Sequence, residues 1–191
     1  SEHLDYYKSI NNLKKNFSNF IEKTPSLGKT FVCIDDKHSR EILKKIKKKN
    51  YYTFGINKKA NFQIYNILQN ENFSKFDLKI RIPGNVTRIQ NIKIPLIGLH
   101  NIKNATSALA VSFSIGINSR TIKEGLLKFN GVQRRFNFLF EKNKAIFFDD
   151  YAHHPTEITS VLEGVKKVYH KKEIICIFQP HRISRIKNLK L

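Results

Sequence analysis

The stretch TFVCIDDKHSREILKKIKKKNYYTF, residues 30–54, sets the fold class. Its first six residues, Thr30 to Asp35, form a short apolar run closed by a carboxylate, which reads as a buried strand. Residues 39–48 read as a helix, and Tyr51 to Phe54 as a second strand. A strand, a helix and a strand in succession predict an α/β layer fold.

Working outward, residues 12–21 place Leu13, Phe17, Phe20 and Ile21 at helical spacing. Downstream, alternating strands over 76–82 and 89–94, joined through Pro83-Gly84-Asn85, suggest an antiparallel insert or edge. After Gly98 a helix over 101–115 puts Ala105, Ala108, Leu109 and Ser112 on one face, small enough to lie close against a sheet. Another helix, over 120–129, stops near Asn130-Gly131. A new unit then begins with a hairpin, 136–140 and 145–148. A helix opens at Pro155 with Ile158, Val161, Leu162, Val165 and Val168 facing a core, and a strand over 173–178 follows. The boundary falls near Gly131, dividing the chain into 1–132 and 133–191.

A chain of 191 residues holds one sizeable core or two modest ones. Lys and Arg number 35 against 15 acidic residues, a net charge of +20 that would attract nucleic acid or an anionic membrane. The positive charges are mostly Lys scattered through polar sequence, with no aromatic platform or nucleic-acid motif, so they read as a solvated surface and predict no nucleic-acid partner. A basic nucleic-acid-binding module remains the rival reading from another class. Cys33 and Cys176 each sit in an apolar strand-like run, the pattern of reduced core cysteines, which favours the cytoplasm. No apolar run approaches the roughly 20 residues needed to cross a bilayer, so no membrane insertion is expected. The sequence contains no Met, starts at Ser1 and stops at Ile-Lys-Asn-Leu-Lys-Leu, which reads as an internal piece of a longer chain.

Chemistry concentrates at FFDDYAHHPTE, residues 147–157. Asp149 and Asp150 stand at a strand's end, Tyr151, His153 and His154 follow, and Pro155 starts the helix. Taken singly, His154 is explained as a helix cap and Asp149 as a turn residue. Together they lie where α/β folds bind ligands, outside the carboxyl ends of strands. The strand over 173–178 also ends in polar residues, Gln179-Pro-His-Arg182, with Arg185 beyond. If the two strands are parallel neighbours, His181, Arg182 and Arg185 face Asp150 and His153 across one pocket suited to carboxylates or phosphates. Leu27-Gly28-Lys29-Thr30 is not a phosphate loop, because Lys23 stands where the first Gly belongs and a strand follows instead of a helix. There is no His-Glu-x-x-His, no paired cysteine spacing and no Gly-x-Ser-x-Gly.

Three motifs in order, Gly98-Leu-His-Asn-Ile-Lys-Asn104-Ala, Gly131-Val-Gln-Arg-Arg-Phe136 and Asp149-Asp-Tyr-Ala-His-His-Pro-Thr-Glu157, resemble the ATP-dependent Mur ligases of peptidoglycan synthesis. Glu2-His3-Leu4-Asp5-Tyr6 is similar to the family's Asp-His-Leu/Met-Asp segment, and Gln179-Pro-His-Arg-Ile-Ser-Arg185 to a segment of the alanine-adding members. The resemblance implies the later part of a central ATPase domain followed by the first part of a Rossmann-like C-terminal domain. It implies ATP and Mg²⁺ as cofactors, UDP-N-acetylmuramate and L-alanine as substrates, and an acyl phosphate that the alanine amine attacks. By the same resemblance His3 would bind Mg²⁺, Asn104 adenine, Arg135 the phosphates and Asp150 the ribose. Tyr151 and His153 would line the cleft, with His153 and Arg135 as the catalytic pair, and His181, Arg182 and Arg185 would hold the substrates. The family's Gly-x-x-Gly-Lys-Thr loop would lie upstream of Ser1, so residues 1–191 alone are expected not to turn over ATP. Glu2, Ile183, Ile186 and Asn137 depart from the usual residues and bear on fine substrate contacts. The nearest rival, the murein peptide ligase, shares Ala-His-His-Pro but carries a segment like Glu-Pro-Arg-Ser where this chain has Gln179-Pro180-His181-Arg182.

Overall fold

A computed structural model describes residues 4–47 and 50–179. The elements run α1 (Leu4–Tyr7), α2 (Ile10–Glu22), β1 (Thr30–Cys33), α3 (Lys37–Lys45), β2 (Tyr51–Gly55), β3 (Phe62–Gln69), β4 (Ser74–Ile82), β5 (Asn85–Ile94), α4 (Leu99–Ser114) and α5 (Ser119–Lys128). They continue with β6 (Asn137–Lys142), β7 (Ala145–Asp149) and α6 (Pro155–Val168). Short polar side chains open three of the helices: Ser9, Asp36 and Asn118 each accept a first-turn backbone N–H that has no partner within its helix.

One sheet of order β1-β2-β3-β4-β5 carries the first unit. β1, β2 and β3 are parallel, while β3, β4 and β5 are antiparallel. The antiparallel strands expected as an insert or edge therefore continue the parallel ones in a single mixed sheet. Asp77, buried in β4, fastens both flanking strands where their register slips: it accepts from Asn66 Nδ2 at 2.9 Å and from the Asn91 N–H at 2.8 Å. Asn66 and Asn91 both have positive φ, the conformation of a bulge residue that Asn tolerates best after Gly.

Strand alternation divides the core. Phe31, Cys33, Tyr52 and Phe54 join the cluster beneath α4, whereas Val32, Ile34 and Tyr51 join Ile21, Ile42, Leu43 and Ile46 beneath α2 and α3. On α4 the buried residues are Ile102, Ala105, Thr106, Leu109 and Ala110, and the expected Ala108 is exposed. The helix is rotated so that Ile102 and Leu109 fill the space over Phe62 and Ile64, a larger apolar burial than the alanine face provides. Phe17 and Phe20 of α2 are also exposed, because α2 packs on α3 and only Ile21 reaches the core.

Beyond residue 133, β6 and β7 form a two-stranded antiparallel sheet, and α6 begins at Pro155 as expected. The strand expected over 173–178 is not formed. Among the described residues nothing lies alongside it to complete a ladder, so Ile175 and Ile177 are exposed and Cys176 is a surface residue instead of a core one. Hence β7 has no parallel neighbour among the described residues, and the facing of two parallel strand ends is not formed there. A third apolar cluster joins the units: Ile97, before α4, packs with Val168 and Tyr169, and Phe136, Phe148 and Val165 close around them.

Candidate functional site

The site is built around the turn that leads into β6. Arg134 and Phe136 both have positive φ, which non-glycine residues hold only where neighbours impose it. Asp150 supplies the constraint. One carboxylate oxygen accepts the Phe136 N–H at 2.8 Å and the other the Ala152 N–H at 2.6 Å. The Tyr151 N–H donates to the Arg134 carbonyl at 2.8 Å, and the Phe136 ring stacks on Phe148 with centroids 4.2 Å apart. The 131–136 motif and the 149–157 motif thus fold into one structure.

This brings the charged side chains together. Arg134 Nε lies 3.6 Å from Asp149 Oδ2, and its guanidinium sits 4.9 Å from the centre of the Tyr151 ring. Arg135 Nη1 is 4.0 Å from Glu157 Oε1 and its side chain is otherwise exposed, leaving donors turned to solvent. His153 Nδ1 is 2.8 Å from the Tyr151 carbonyl oxygen, and its ring meets that of Tyr151 edge to face.

Glu157 organises the start of α6. Its carboxylate accepts the N–H groups of His153 and His154, while His154 Nδ1 accepts the N–H of Thr156, completing a reciprocal cap. Burial by itself would raise the Glu157 pKa; the His153 and His154 N–H groups and the charges of His153 and Arg135 outweigh it and hold the carboxyl below its ordinary value. His154 is therefore a helix cap, the simpler of the two roles open to it. Glu157 was not singled out by sequence reasoning, since the usual capping signature begins with Ser or Thr.

His100 was also missed, although it lies inside a quoted motif. It stands in the first turn of α4, folded back over Gly98: a Cβ at Gly98, whose φ is +95°, would lie 2.7 Å from the imidazole Cε1. Its Nδ1 is buried without a hydrogen-bond partner among the described residues, an uncommon condition. Burial pushes the His100 pKa down, the charge of Asp150 opposes this and that of Arg135 adds to it, so this imidazole feels groups of the second unit. Asn104, one helical turn on, is exposed on the same side of α4.

The structure therefore gathers Arg135, Asp150, Tyr151 and His153, with His100 within their field. His3, His181, Arg182 and Arg185 lie outside the described residues. Among the described residues no group of three or more His, Cys, Asp or Glu side chains could hold a metal ion, and no helix is long and apolar enough to cross a membrane.

Comparison with known proteins places the chain in a family. The Mur ligase middle domain matches residues 1–112, and the Mur ligase glutamate ligase domain matches residues 134–189. A UDP-N-acetylmuramate--L-alanine ligase of Pelagibacter ubique is 56% identical over 99% of this chain, which spans 41% of that protein's length. The crystal structure of UDP-N-acetylmuramate-alanine ligase MurC from Thermotoga maritima superposes with a TM-score of 0.74 at 29% identity, covering all of this chain and 41% of that one. A murein peptide ligase from Psychrobacter arcticus reaches a TM-score of 0.53 at 27% identity over 81% of this chain and 32% of its own. The middle-domain match alone takes in more than half of the sequence, and the second follows it across the turn that Asp150 fastens; the chain belongs to the Mur ligase family.

Proposed function

We propose that the protein containing this chain is an ATP-dependent ligase that joins L-alanine to UDP-N-acetylmuramate in the cytoplasm, with residues 1–132 and 133–191 belonging to its central and C-terminal domains. The observation that carries this reading is the 56% identity, over nearly the whole chain, to a protein named for that reaction. The site is consistent with a nucleotide: an exposed Asn104 amide suits a purine edge, and the exposed Arg135 guanidinium suits phosphates.

ATP, when bound, supplies the phosphoryl group that activates the substrate carboxylate for attack by an amine. In the proposed assignment Arg135 offsets the negative charge of the transferring group, and Asn104 pairs with adenine through its donor and acceptor. Asp150 has lone pairs left after its two backbone bonds, and these accept from ribose hydroxyls. Tyr151, covered by Arg134, and His153 wall the cleft against water. His181, Arg182 and Arg185 hold the substrate carboxylates. By the family resemblance His3 would help hold a Mg²⁺ ion, which would offset phosphate charge.

The test is phosphate release from ATP by the full-length protein with UDP-N-acetylmuramate and either L-alanine or a tripeptide. Alanine-dependent release supports the proposal, and tripeptide-dependent release without alanine transfers it to the murein peptide ligase. DNA binding with sequence preference surviving at high salt would favour the nucleic-acid rival, whereas simple salt-sensitive binding follows from the +20 charge alone.

A further inference from the structure

Lys103 is the one Lys, Arg, Asp or Glu in α4. Instead of reaching solvent, its Nζ lies 2.9 Å from Asp35 Oδ2, at the carboxyl end of β1, and the two side chains are 27% and 16% exposed. The same carboxylate accepts the N–H groups of Ile56 and Asn57, at 3.1 and 3.0 Å, from the loop that leaves β2. Its seat exists because residue 55 is glycine: at φ +142° a Cβ there would stand 2.5 Å from Asp35 Oδ1. Burial would raise the Asp35 pKa, and Lys103 with the two N–H groups more than reverses this, holding the group ionised. Asp35 therefore ties together β1, the β2–β3 loop and α4.

An exposed ion pair contributes little, typically about 0–1 kcal/mol. This one is half-buried, shares its carboxylate with two backbone donors and sits in a notch that excludes a side chain. Its place on α4 gives it a further consequence. Lys103 precedes Asn104 and lies three residues from His100, so it adjoins both side chains in the first turns of the helix, with His100 between them in direction. Ile102 and Leu109 seat α4 on the sheet, and the Lys103–Asp35 pair adds a polar tie between the first turns of the helix, the end of β1 and the β2–β3 loop.

We infer that Lys103 and Asp35 are positioning residues for the nucleotide: their ion pair pins the first turns of α4 to the end of β1 and so holds His100 and Asn104 in place. This rests on the proposed function, which places a nucleotide against that end of α4.

The experiment uses the full-length protein with Lys103→Met, Asp35→Asn and the conservative Lys103→Arg. ADP affinity is measured by calorimetry, and KM values for ATP and L-alanine are measured alongside the melting temperature. Lys103→Met and Asp35→Asn should raise the ADP Kd and the ATP KM by about fivefold while the alanine KM stays within about twofold, and Lys103→Arg should restore most of the loss. Asp35→Asn keeps an acceptor for Ile56 and Asn57 and serves if the methionine variant does not fold. Variants that lose melting temperature but keep wild-type nucleotide constants overturn the inference alone. So does an equal rise in both KM values. A wild-type protein that binds no ADP overturns the proposed function and this inference together.

Discussion

Asp150 accepts the backbone N–H of Phe136 at 2.8 Å, so a carboxylate at the end of β7 holds the left-handed turn that opens the second unit. Its other oxygen takes the Ala152 N–H, which shapes the descent into α6. A residue expected from sequence to serve only a nucleotide is thus committed to the backbone first.

The consequence for Asp150→Ala is a loss of stability in the absence of any nucleotide. Two backbone donors lose a charged acceptor, at a cost of about 1.5–3 kcal/mol for a hydrogen bond of that kind. Asp150→Asn retains one acceptor and should lose less. Urea unfolding of the full-length protein checks this, and an unchanged midpoint for the alanine variant would remove the clamp.

Two helix glycines should respond oppositely to alanine. Gly125 in α5 has open space where a Cβ would stand, so Gly125→Ala should stabilise by roughly 0.5–1 kcal/mol through helix propensity. Gly164 in α6 faces the Gly98 Cα at 3.3 Å from such a Cβ, so Gly164→Ala should gain nothing and Gly164→Val should lose about 1–3 kcal/mol by overpacking the junction. Thermal melts of the three variants decide it.

Stability should fall in two steps on acidification. His100 is held below its ordinary 6.5, so the unfolded chain takes up that proton first; its contribution is complete above pH 6.5 and is lost as pH falls through the folded value. Asp35 and Glu157 are held below 3.8 and 4.5, so their contributions are complete above those values and are lost as pH drops further. Replacing His100 by Asn should flatten only the upper step, and Asp35→Asn only the lower, in melting temperatures recorded from pH 8 to pH 3.

If Arg182 and Arg185 hold substrate carboxylates as proposed, Arg182→Lys or Arg185→Lys should raise the KM for L-alanine or UDP-N-acetylmuramate far more than that for ATP, because an ammonium cannot reproduce the planar guanidinium fork. Three-substrate kinetics on the full-length protein test this. A change confined to the ATP constant would assign these two arginines to the nucleotide.

The sequence by itself determined the strand-helix-strand opening, the β6–β7 hairpin, the start of α6 at Pro155 and the family motifs, because each depends on residues within a few positions of one another. Side-chain period, a proline at a helix's first position and a glycine after its end are local properties of the chain. Tertiary structure decided the rest. Whether 173–178 becomes a strand depends on a partner for its backbone, and which face of α4 is buried depends on the shape of the sheet beneath it. Phe17 and Phe20 have the spacing of a core face, yet α3 gives them nothing to cover. Asp150 meets Phe136, and Asp35 meets Lys103, across separations that no local pattern encodes. A carboxylate's partner is set by where the folded chain places the nearest donors, and burial then makes that partner compulsory.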